Sequence, residues 1–233
     1  MEALQQSDAL KSSLLSAVSH DLRTPLTAIK ASASGMLDES VPWSADDRRA
    51  LLETIDEEAD RLTRMVANLL DLSRIEAGVL KPDLDWQDIN ETITDVVHRL
   101  KGASSRVSLN LEPNIPLAFI DYVKISQVIE NLVSNALKFA PETTSVDVAS
   151  RFSWEGFEIT IEDHGPGIDP ESLTHIFDRF YRSRQMANTG GTGVGLTIAK
   201  GFVEAHRGTL SVHSEVGEGT VFTIRLPNVG PGS

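Results

Sequence analysis

The 233-residue sequence has no cysteine, which excludes disulfides, thiolate metal sites and cysteine nucleophiles and suits a reducing compartment. It has no run of the ~18 apolar residues that a membrane span requires, and its first residues do not form a signal peptide. Basic residues are scarce, with 21 Lys and Arg against 34 Asp and Glu and a net charge of -13. Because nucleic acid and anionic lipid are bound by basic surfaces, neither is expected as a partner. We expect a cytoplasmic region without membrane contact.

The first part of the chain has the periodicity of two long helices. The 40% of residues that are hydrophobic are enough for a folded core. Helical spacing runs from about residue 3 to 37, interrupted only by Pro25, and after a capping signal at Ser44 and Asp47 it continues to about residue 77. Each helix has an apolar stripe too wide for one partner helix to cover. We therefore expect a helical hairpin that forms a dimeric four-helix bundle.

A different pattern follows a linker at 78–83. We expect Asn90 to cap a helix that runs to about residue 100, and further helices at 122–139 and 194–206. Alternating apolar residues predict strands at 107–111, 117–120, 146–152, 157–162, 209–213 and 220–226. Helices mixed with mostly antiparallel strands predict an α+β sandwich over 84–227. The last residues, 228–233, are expected to be a disordered tail.

His20 lies in the segment Ser-His-Asp-Leu-Arg-Thr-Pro-Leu at 19–26. At 100° per residue, His20 lies opposite the apolar side of the helix, and Thr24 lies beside it on the outer face. The apolar side comprises Leu15, Val18, Leu22, Leu26 and Ile29. This position does not suit a buried structural histidine. On this pattern alone, a solvated surface histidine is the plainest interpretation.

The helix expected at 122–139 carries polar residues in its interior. Asn131 and Asn135 are four residues apart and share one helical face, with Lys138 further along it. Amide oxygens suit a hard cation such as Mg²⁺, and the lysine suits a phosphate. Because asparagine is disfavoured inside helices, this pair indicates a functional role.

Two glycine-rich segments follow. Asp163 stands at the end of a predicted strand, and Gly165 and Gly167 after it would let backbone approach a flat ligand. The second segment, 190–195, opens a predicted helix whose first N–H groups could hold phosphate. A dinucleotide-binding Rossmann turn is the competing interpretation, but no strand directly precedes this segment. The P-loop pattern is also absent.

Taken in order, these segments resemble the catalytic half of bacterial two-component sensor histidine kinases. The resemblance covers roughly residues 10–226. The histidine box, with aspartate at position 21, is similar to the box of kinases like the potassium sensor. The matching segments are the His20 box, the Asn131 and Asn135 helix, the Asp163–Gly167 turn, Ile-Phe-Asp-Arg-Phe-Tyr-Arg at 176–182 and Gly-Thr-Gly-Val-Gly-Leu at 191–196. It implies a dimerisation and phosphoacceptor hairpin at 1–77. It also implies, at 84–227, an ATP-binding domain of the GHKL (Bergerat) type shared with topoisomerases and Hsp90 chaperones.

The resemblance assigns roles around the phosphoacceptor. His20 would be the phosphorylated nucleophile, and Asp21 would accept a hydrogen bond from its other ring nitrogen. Arg23 would steady phosphate charge. Thr24 would position a water that removes phosphate from the partner protein, a response regulator with a receiver domain.

The resemblance also assigns the ATP and Mg²⁺ ligands. Asn135 would ligate Mg²⁺ and Asp163 would accept a hydrogen bond from the adenine amine. Phe139 replaces a tyrosine that is common in the family, so a hydroxyl contact is lost while ring packing can persist. The segment 179–190 would form a mobile lid. The other residues expected to contact the nucleotide are Asn131, Lys138, Gly165, Gly167, Arg182, Gly191, Thr192, Gly193, Gly195 and Leu196.

Asn131 also separates two reaction types within the ATP-binding family. Hydrolases of this family carry a catalytic glutamate at the corresponding position, four residues before the Mg²⁺-binding asparagine. We therefore expect phosphoryl transfer to protein, with release of phosphate from the regulator as a second activity. An ATP-switched interaction module and a phosphatase-dominant kinase homologue are the alternatives. Transfer within or between subunits, and membrane attachment of a longer sensor, stay open.

Overall fold

The computed structural model describes residues 22–38, 40–100, 103–182 and 193–230. They fall into two units, one containing 22–73 and the other containing 74–182 and 194–230. The division lies between Ser73 and Arg74, just before the linker expected at 78–83. The domain boundaries 1–77, 84–227 and 228–233 stay predictions.

The first unit is helical, as expected. Helix α1 covers residues 22–37 of the described chain and α2 spans Ala45–Glu76. The capping signal is confirmed, because Ser44 N–H donates to Asp47 Oδ2 and Asp47 N–H donates to Ser44 Oγ, both at 3.1 Å. Between the helices, Trp43 Nε1 donates to the carbonyl of Gly35 at 2.8 Å. The indole therefore ties the end of α1 to the start of α2.

Apolar residues of this unit are unevenly buried. On α2, Met65 and Leu72 are buried, whereas Leu52 is 53% exposed and Val66 is 49% exposed. Leu26, expected on the apolar side of α1, is 59% exposed. The periodicity locates the stripe, but part of that stripe is exposed in the described part of the helical unit.

The second unit is a sandwich of helices on a five-stranded sheet. Its sheet has the order β2-β4-β5-β7-β6, with β2 parallel to β4 and the remaining pairs antiparallel. Helix α4 packs between α3 and α6 and against β4 and β5, while α6 covers β6 and β7. The α+β prediction is confirmed. The elements are β1 (Asp85–Gln87), α3 (Ile89–Arg99), β2 (Val107–Leu111), β3 (Ala118–Ile120), α4 (Tyr122–Phe139), β4 (Val146–Ser153), β5 (Gly156–Asp163), α5 (Pro170–Leu173), α6 (Gly195–Ala205), β6 (Thr209–Glu215) and β7 (Gly219–Pro227).

The core of this unit lies between the helices and one face of the sheet. Alternate residues of β5 and β7 point inward, so apolar side chains recur every second position. The fully buried side chains include Ile93, Ile125, Ile129, Leu132, Ile159, Ile161, Phe202 and Ile224. Strands β1 and β3 form a separate, small antiparallel sheet, in which the ring centroids of Trp86 and Phe119 are 5.3 Å apart.

Two expectations need correction. Helix α3 is capped by Asp88, whose carboxylate accepts the N–H groups of Asn90 (2.8 Å) and Glu91 (3.2 Å), and not by Asn90. Both residue types are good caps, and Asp88 has the extended backbone that a cap needs. Asn90 instead accepts the hydroxyl of Ser150 at 2.6 Å. Strand β1 and helix α5 were not expected, because elements of three or four residues are too short to show periodicity.

Candidate nucleotide-binding site

The two asparagines of α4 meet as expected. Both are half-buried, and Asn135 Nδ2 donates to Asn131 Oδ1 at 3.4 Å. Asp121 fixes the start of the helix, since its Oδ1 accepts the N–H of Lys124 at 3.0 Å. The Oδ1 atom of Asn135 takes no part in the bond to Asn131, so it is the oxygen that suits a hard cation.

The N-terminus of α6 lies directly against Asn131. A Cβ at Gly195 would come within 2.7 Å of Asn131 Oδ1, so a larger residue at 195 would have to displace the Asn131 amide. The cap residue is Val194, whose apolar side chain cannot accept the first N–H groups of the helix. Those N–H groups and the positive end of the helix dipole therefore suit phosphate oxygens. Leu196 is half-buried in the first turn.

Asp163 is a buried carboxylate at the end of β5. It is 6% exposed, its Oδ1 accepts the N–H of Gly165 at 2.9 Å, and it pairs with Thr220 across β5 and β7. Burial raises the pKa of Asp163, while hydrogen bonds from the backbone N–H groups of Gly165 and Thr220 act in the opposite direction. A buried acceptor of this kind suits a neutral donor such as an exocyclic amine.

Two positions after Asp163 require glycine. At one of them neighbouring atoms lie too close for a side chain, and at the other the backbone has a positive φ. A Cβ at Gly165 would lie 2.7 Å from Asp163 Oδ1 and 3.0 Å from the carbonyl oxygen of Phe139. Gly167 has φ +69° and packs against the backbone of Glu215, a conformation that other residues rarely adopt. The turn thus places backbone, without side chains, beside the carboxylate.

The remaining predicted ligands are placed less completely. Lys138 is exposed, with Nζ 5.1 Å from the centroid of the Phe139 ring. Arg182 is exposed, and Gly193 has φ +68°. Gly191 and Thr192 lie outside the described residues. The structure therefore assembles one cluster of Asn131, Asn135 and Gly195, and a second cluster of Asp163, Gly165, Gly167 and Phe139, with α4 contributing to both.

The donor set fits ATP with a hard cation. In the described ranges no group of three or more His, Asp or Glu side chains is placed to hold a metal ion. An amide oxygen such as that of Asn135 would then share the cation with ligand oxygens, as Mg²⁺ commonly permits in nucleotide sites.

The phosphoacceptor segment is only partly described. His20 and Asp21 lie outside the described residues. Arg23 and Thr24 are both exposed on α1, and the Arg23 carbonyl accepts the hydroxyl of Thr27 at 2.8 Å. Pro25 beside them is buried. The expectation that Thr24 faces outward is met.

Two contacts near the site were not visible in the sequence. Thr220 supports Asp163 through its backbone, which depends on strand register and leaves no side-chain signal. Thr197 Oγ1 donates to the carbonyl of Phe177 at 2.9 Å and so ties α6 to the segment at 176–182. In the sequence, the one sign of the Thr197–Phe177 contact is a threonine in the first turn of a predicted helix.

Two family models match the chain. Residues 10–78 match the His Kinase A (phospho-acceptor) domain. Residues 120–230 match the histidine kinase-, DNA gyrase B- and HSP90-like ATPase. The second match contains α4, the Asp163 turn and α6, and its family implies ATP binding by this part of the chain.

Curated relatives are sensor kinases. The chain is 39% identical over 233 residues to the sensor protein KdpD of Mycobacterium tuberculosis, covering 97% of this chain and 27% of that protein. It is 33% identical to the sensor-like histidine kinase SenX3 of Mycolicibacterium smegmatis, covering 94% of this chain and 58% of that protein. The chain thus spans about a quarter to three fifths of the length of these relatives.

Solved structures show the same fold. The histidine kinase AdeS of Acinetobacter baumannii superposes with a TM-score of 0.69 at 23% identity, covering 91% of this chain and 98% of that one. The mycobacterial sensor histidine kinase MprB gives a TM-score of 0.54 at 28% identity, covering 62% of this chain and 97% of that one. None of the described helices combines the length and hydropathy of a membrane span.

Proposed function

Because the chain belongs to the two-component sensor histidine kinases, we propose that it transfers the γ-phosphoryl group of ATP to His20 and then to an aspartate of a response regulator. The observation that carries this proposal is the contact between Asn131 and the N-terminus of α6 at Gly195. It brings the amide of Asn131, which is bonded to Asn135, close to the first N–H groups of α6, where no side chain caps the helix. That combination suits a triphosphate with Mg²⁺.

The nucleotide is held at two ends in this proposal. Asp163 accepts a hydrogen bond from the adenine amine, and Gly165 and Gly167 let the base lie against backbone. The phosphates are contacted by Asn131, Lys138, Arg182 and the backbone at 191–196. Asn135 would hold Mg²⁺, which would neutralise charge on the phosphates during transfer.

The chain then performs an in-line displacement. A ring nitrogen of His20 forms the new bond to the γ-phosphorus as the bond to the bridging oxygen breaks, and ADP leaves. Asp21 holds the other ring nitrogen so that the attacking nitrogen is neutral, and Arg23 steadies the transferred charge. In the second step a carboxylate oxygen of the receiver domain attacks the same phosphorus and frees His20.

The position that carries the catalytic glutamate in related hydrolases is occupied by Asn131. Asn131 is half-buried against Gly195, whereas the neighbouring Glu130 is exposed. This difference favours transfer to protein over hydrolysis of ATP by water. Thr24, exposed on α1, supports a second activity in which a positioned water removes phosphate from the regulator.

Two copies are expected to act together. Leu52 and Val66 on α2 are about half exposed, and a symmetric pair of hairpins would bury them in a four-helix bundle. We propose residues 1–77 as the dimerisation and phosphoacceptor domain and 84–227 as the catalytic domain. The reaction is assigned to the cytoplasm, within a longer sensor.

The decisive experiment is labelling with γ-³²P-ATP. Wild-type chain and a His213→Ala control, altered at a histidine whose side chain is 79% exposed, should incorporate label that is lost in acid. His20→Ala should incorporate none while binding a fluorescent ATP analogue normally. Unlabelled wild type that binds the analogue would support an ATP-switched interaction module instead. ATP turnover undiminished in His20→Ala would contradict the transfer reaction.

A mixed dimer then separates transfer within and between subunits. A His20→Gln chain is combined with an Asn135→Ala chain of different length, and formation of the mixed dimer is confirmed. Label on the Asn135→Ala chain shows transfer between subunits. Its absence, with active wild type in parallel, shows transfer within one subunit.

A further inference from the structure

Arg106 joins three segments of the sandwich unit. Its Nη1 donates to the carbonyl of Leu137 at 3.1 Å, and its Nη2 donates to Ala140 at 3.2 Å and to Pro141 at 2.8 Å. The carbonyl of Arg106 itself accepts the N–H of Val146, the first residue of β4, at 2.8 Å. The residue just before β2 therefore holds both the end of α4 and the start of β4.

The chemistry of this contact favours arginine. The last carbonyl groups of a helix have no partner within the helix, and a cation near them is stabilised by the helix dipole. A planar guanidinium can donate in several fixed directions at once, whereas a lysine ammonium is a compact charge on a flexible stem. Arg106 satisfies three carbonyls at the point where α4 stops.

The bonded carbonyls flank two predicted nucleotide contacts. Leu137 and Ala140 lie immediately before and after Lys138 and Phe139 in sequence. The carbonyl of Phe139 in turn lies so close to Gly165 that a Cβ there would be 3.0 Å from it. A displacement of this turn would therefore shift the predicted contacts with the phosphates and with the adenine at the same time.

We propose that Arg106 is a positioning residue for the nucleotide, an inference that rests on the ATP site proposed above. By clamping the final turn of α4, it fixes the direction of Lys138 and the distance between Phe139 and the Gly165 turn. The guanidinium acts through these groups and does not itself touch ATP. Loss of the clamp lowers nucleotide affinity more than it lowers the rate at saturating nucleotide.

The test compares Arg106→Met with Arg225→Met in the 233-residue chain. Arg225 is a matched control, because its guanidinium makes two close contacts with Glu158, 2.9 and 2.8 Å, on the exposed face of the sheet. Arg106→Met should raise the half-saturating ATP concentration for labelling about tenfold, because Lys138 and the turn at Phe139 would then have to be ordered when ATP binds. Labelling at saturating ATP should change less than twofold, and Arg225→Met should match wild type in both measurements.

A purely structural role gives a different pattern. It would reduce the amplitude of labelling in proportion to folded protein, with an unchanged half-saturating concentration in the remaining fraction. That result overturns the proposal. If Arg106→Met does not fold, Arg106→Lys replaces it. Its half-saturating ATP concentration should rise by a smaller factor of about threefold, because the ammonium cannot bond all three carbonyls at once. A wild-type half-saturating concentration in Arg106→Lys would also overturn the proposal.

Amide hydrogen exchange without nucleotide provides a readout independent of activity. Exchange at 138–140 and at Gly165 should be faster in Arg106→Met than in wild type, and unchanged in Arg225→Met. Equal exchange in all three proteins contradicts the clamp even if labelling differs. Wild type that binds no ATP contradicts the proposed site itself, whereas ATP binding unaffected by Arg106→Met contradicts only the positioning role.

Discussion

The helical unit and the sandwich unit differ in how completely they bury the apolar side chains compared here. In the sandwich, Ile129 and Leu132 of α4 are fully buried against the sheet and neighbouring helices. In the helical unit, Leu52 and Val66 of α2 are about half exposed, and Leu26 of α1 is 59% exposed. The sandwich therefore completes its core within one chain. The helical unit leaves apolar surface that a second copy can cover, so its stability is expected to depend on protein concentration.

The largest effect should come from Asp163→Asn, which tests whether nucleotide binding belongs to the sandwich alone. The new amide can still accept the Gly165 N–H, but its NH₂ group would oppose a donor on adenine. ATP affinity measured by calorimetry should fall at least about a hundredfold, with unchanged self-association in sedimentation.

Asp163→Asn should not lower the stability of the fold at pH 7. Burial raises the pKa of Asp163, so the stability associated with this group is present at low pH and lost as pH rises through its folded pKa. The exposed neighbour Glu162 provides the control, Glu162→Gln, which should bind ATP normally. Normal affinity in Asp163→Asn would contradict the adenine assignment.

The second effect concerns the surface that the helical unit leaves open. Leu52→Asp places a charge on this surface and should raise the dimer dissociation constant by roughly a hundredfold, because symmetry alters both copies. Sedimentation over a range of concentrations measures it. Trp154→Asp, at an 88% exposed aromatic residue of the β4–β5 turn, should leave association unchanged. Equal association in all three proteins would remove the contrast between the units.

A core substitution in the sandwich should lower the stability of that unit and leave dimer association unchanged. Ile129 is 0% exposed, so Ile129→Ala should lower the free energy of unfolding of this unit by about 2–5 kcal/mol. Val123→Ala, at a residue that is 64% exposed on the same helix, is the matched control and should cost far less. Urea unfolding monitored by tryptophan fluorescence measures both. A change in dimer dissociation constant with Ile129→Ala would show that the cores are not separate.

The smallest effect is a pH dependence inside the sandwich. His206 Nε2 accepts the N–H of Asp121 at 2.9 Å and Nδ1 donates to the carbonyl of Phe202 at 2.7 Å, which defines a neutral ring. Burial lowers the pKa of His206, opposed by the Phe202 hydrogen bond and the Asp121 charge. Because the unfolded chain takes up the proton first, stability should fall as pH drops below about 6.5.

Replacing the histidine tests this dependence directly. His206→Gln can still accept the Asp121 N–H but does not titrate, so its urea midpoint should change less between pH 7.5 and 5.5 than that of wild type. His213→Gln, altered at an exposed histidine, should behave as wild type. A wild-type pH dependence in His206→Gln would assign the effect to another group.

Local periodicity predicted long elements well. The strand at 107–111 and the helix at 122–139 have the expected bounds, because their apolar residues recur at the period of one structure only. The Asn131 and Asn135 pair was found because both lie on one helical face.

Features that depend on distant pairing were missed. The choice of Asp88 over Asn90 as cap depends on which residue becomes extended, and the partner of Asp163 depends on β5–β7 register. The bonds of Arg106 depend on where α4 ends in space. Helical phase places Leu26 on the apolar stripe of α1, but it does not show how much of that stripe is buried within one chain.

The contact between Gly195 and Asn131 limits how the sequence can vary. A side chain at 195 would have to displace the amide of Asn131. A substitution at 195 is therefore expected to disturb the Asn131–Asn135 hydrogen bond as well as the start of α6.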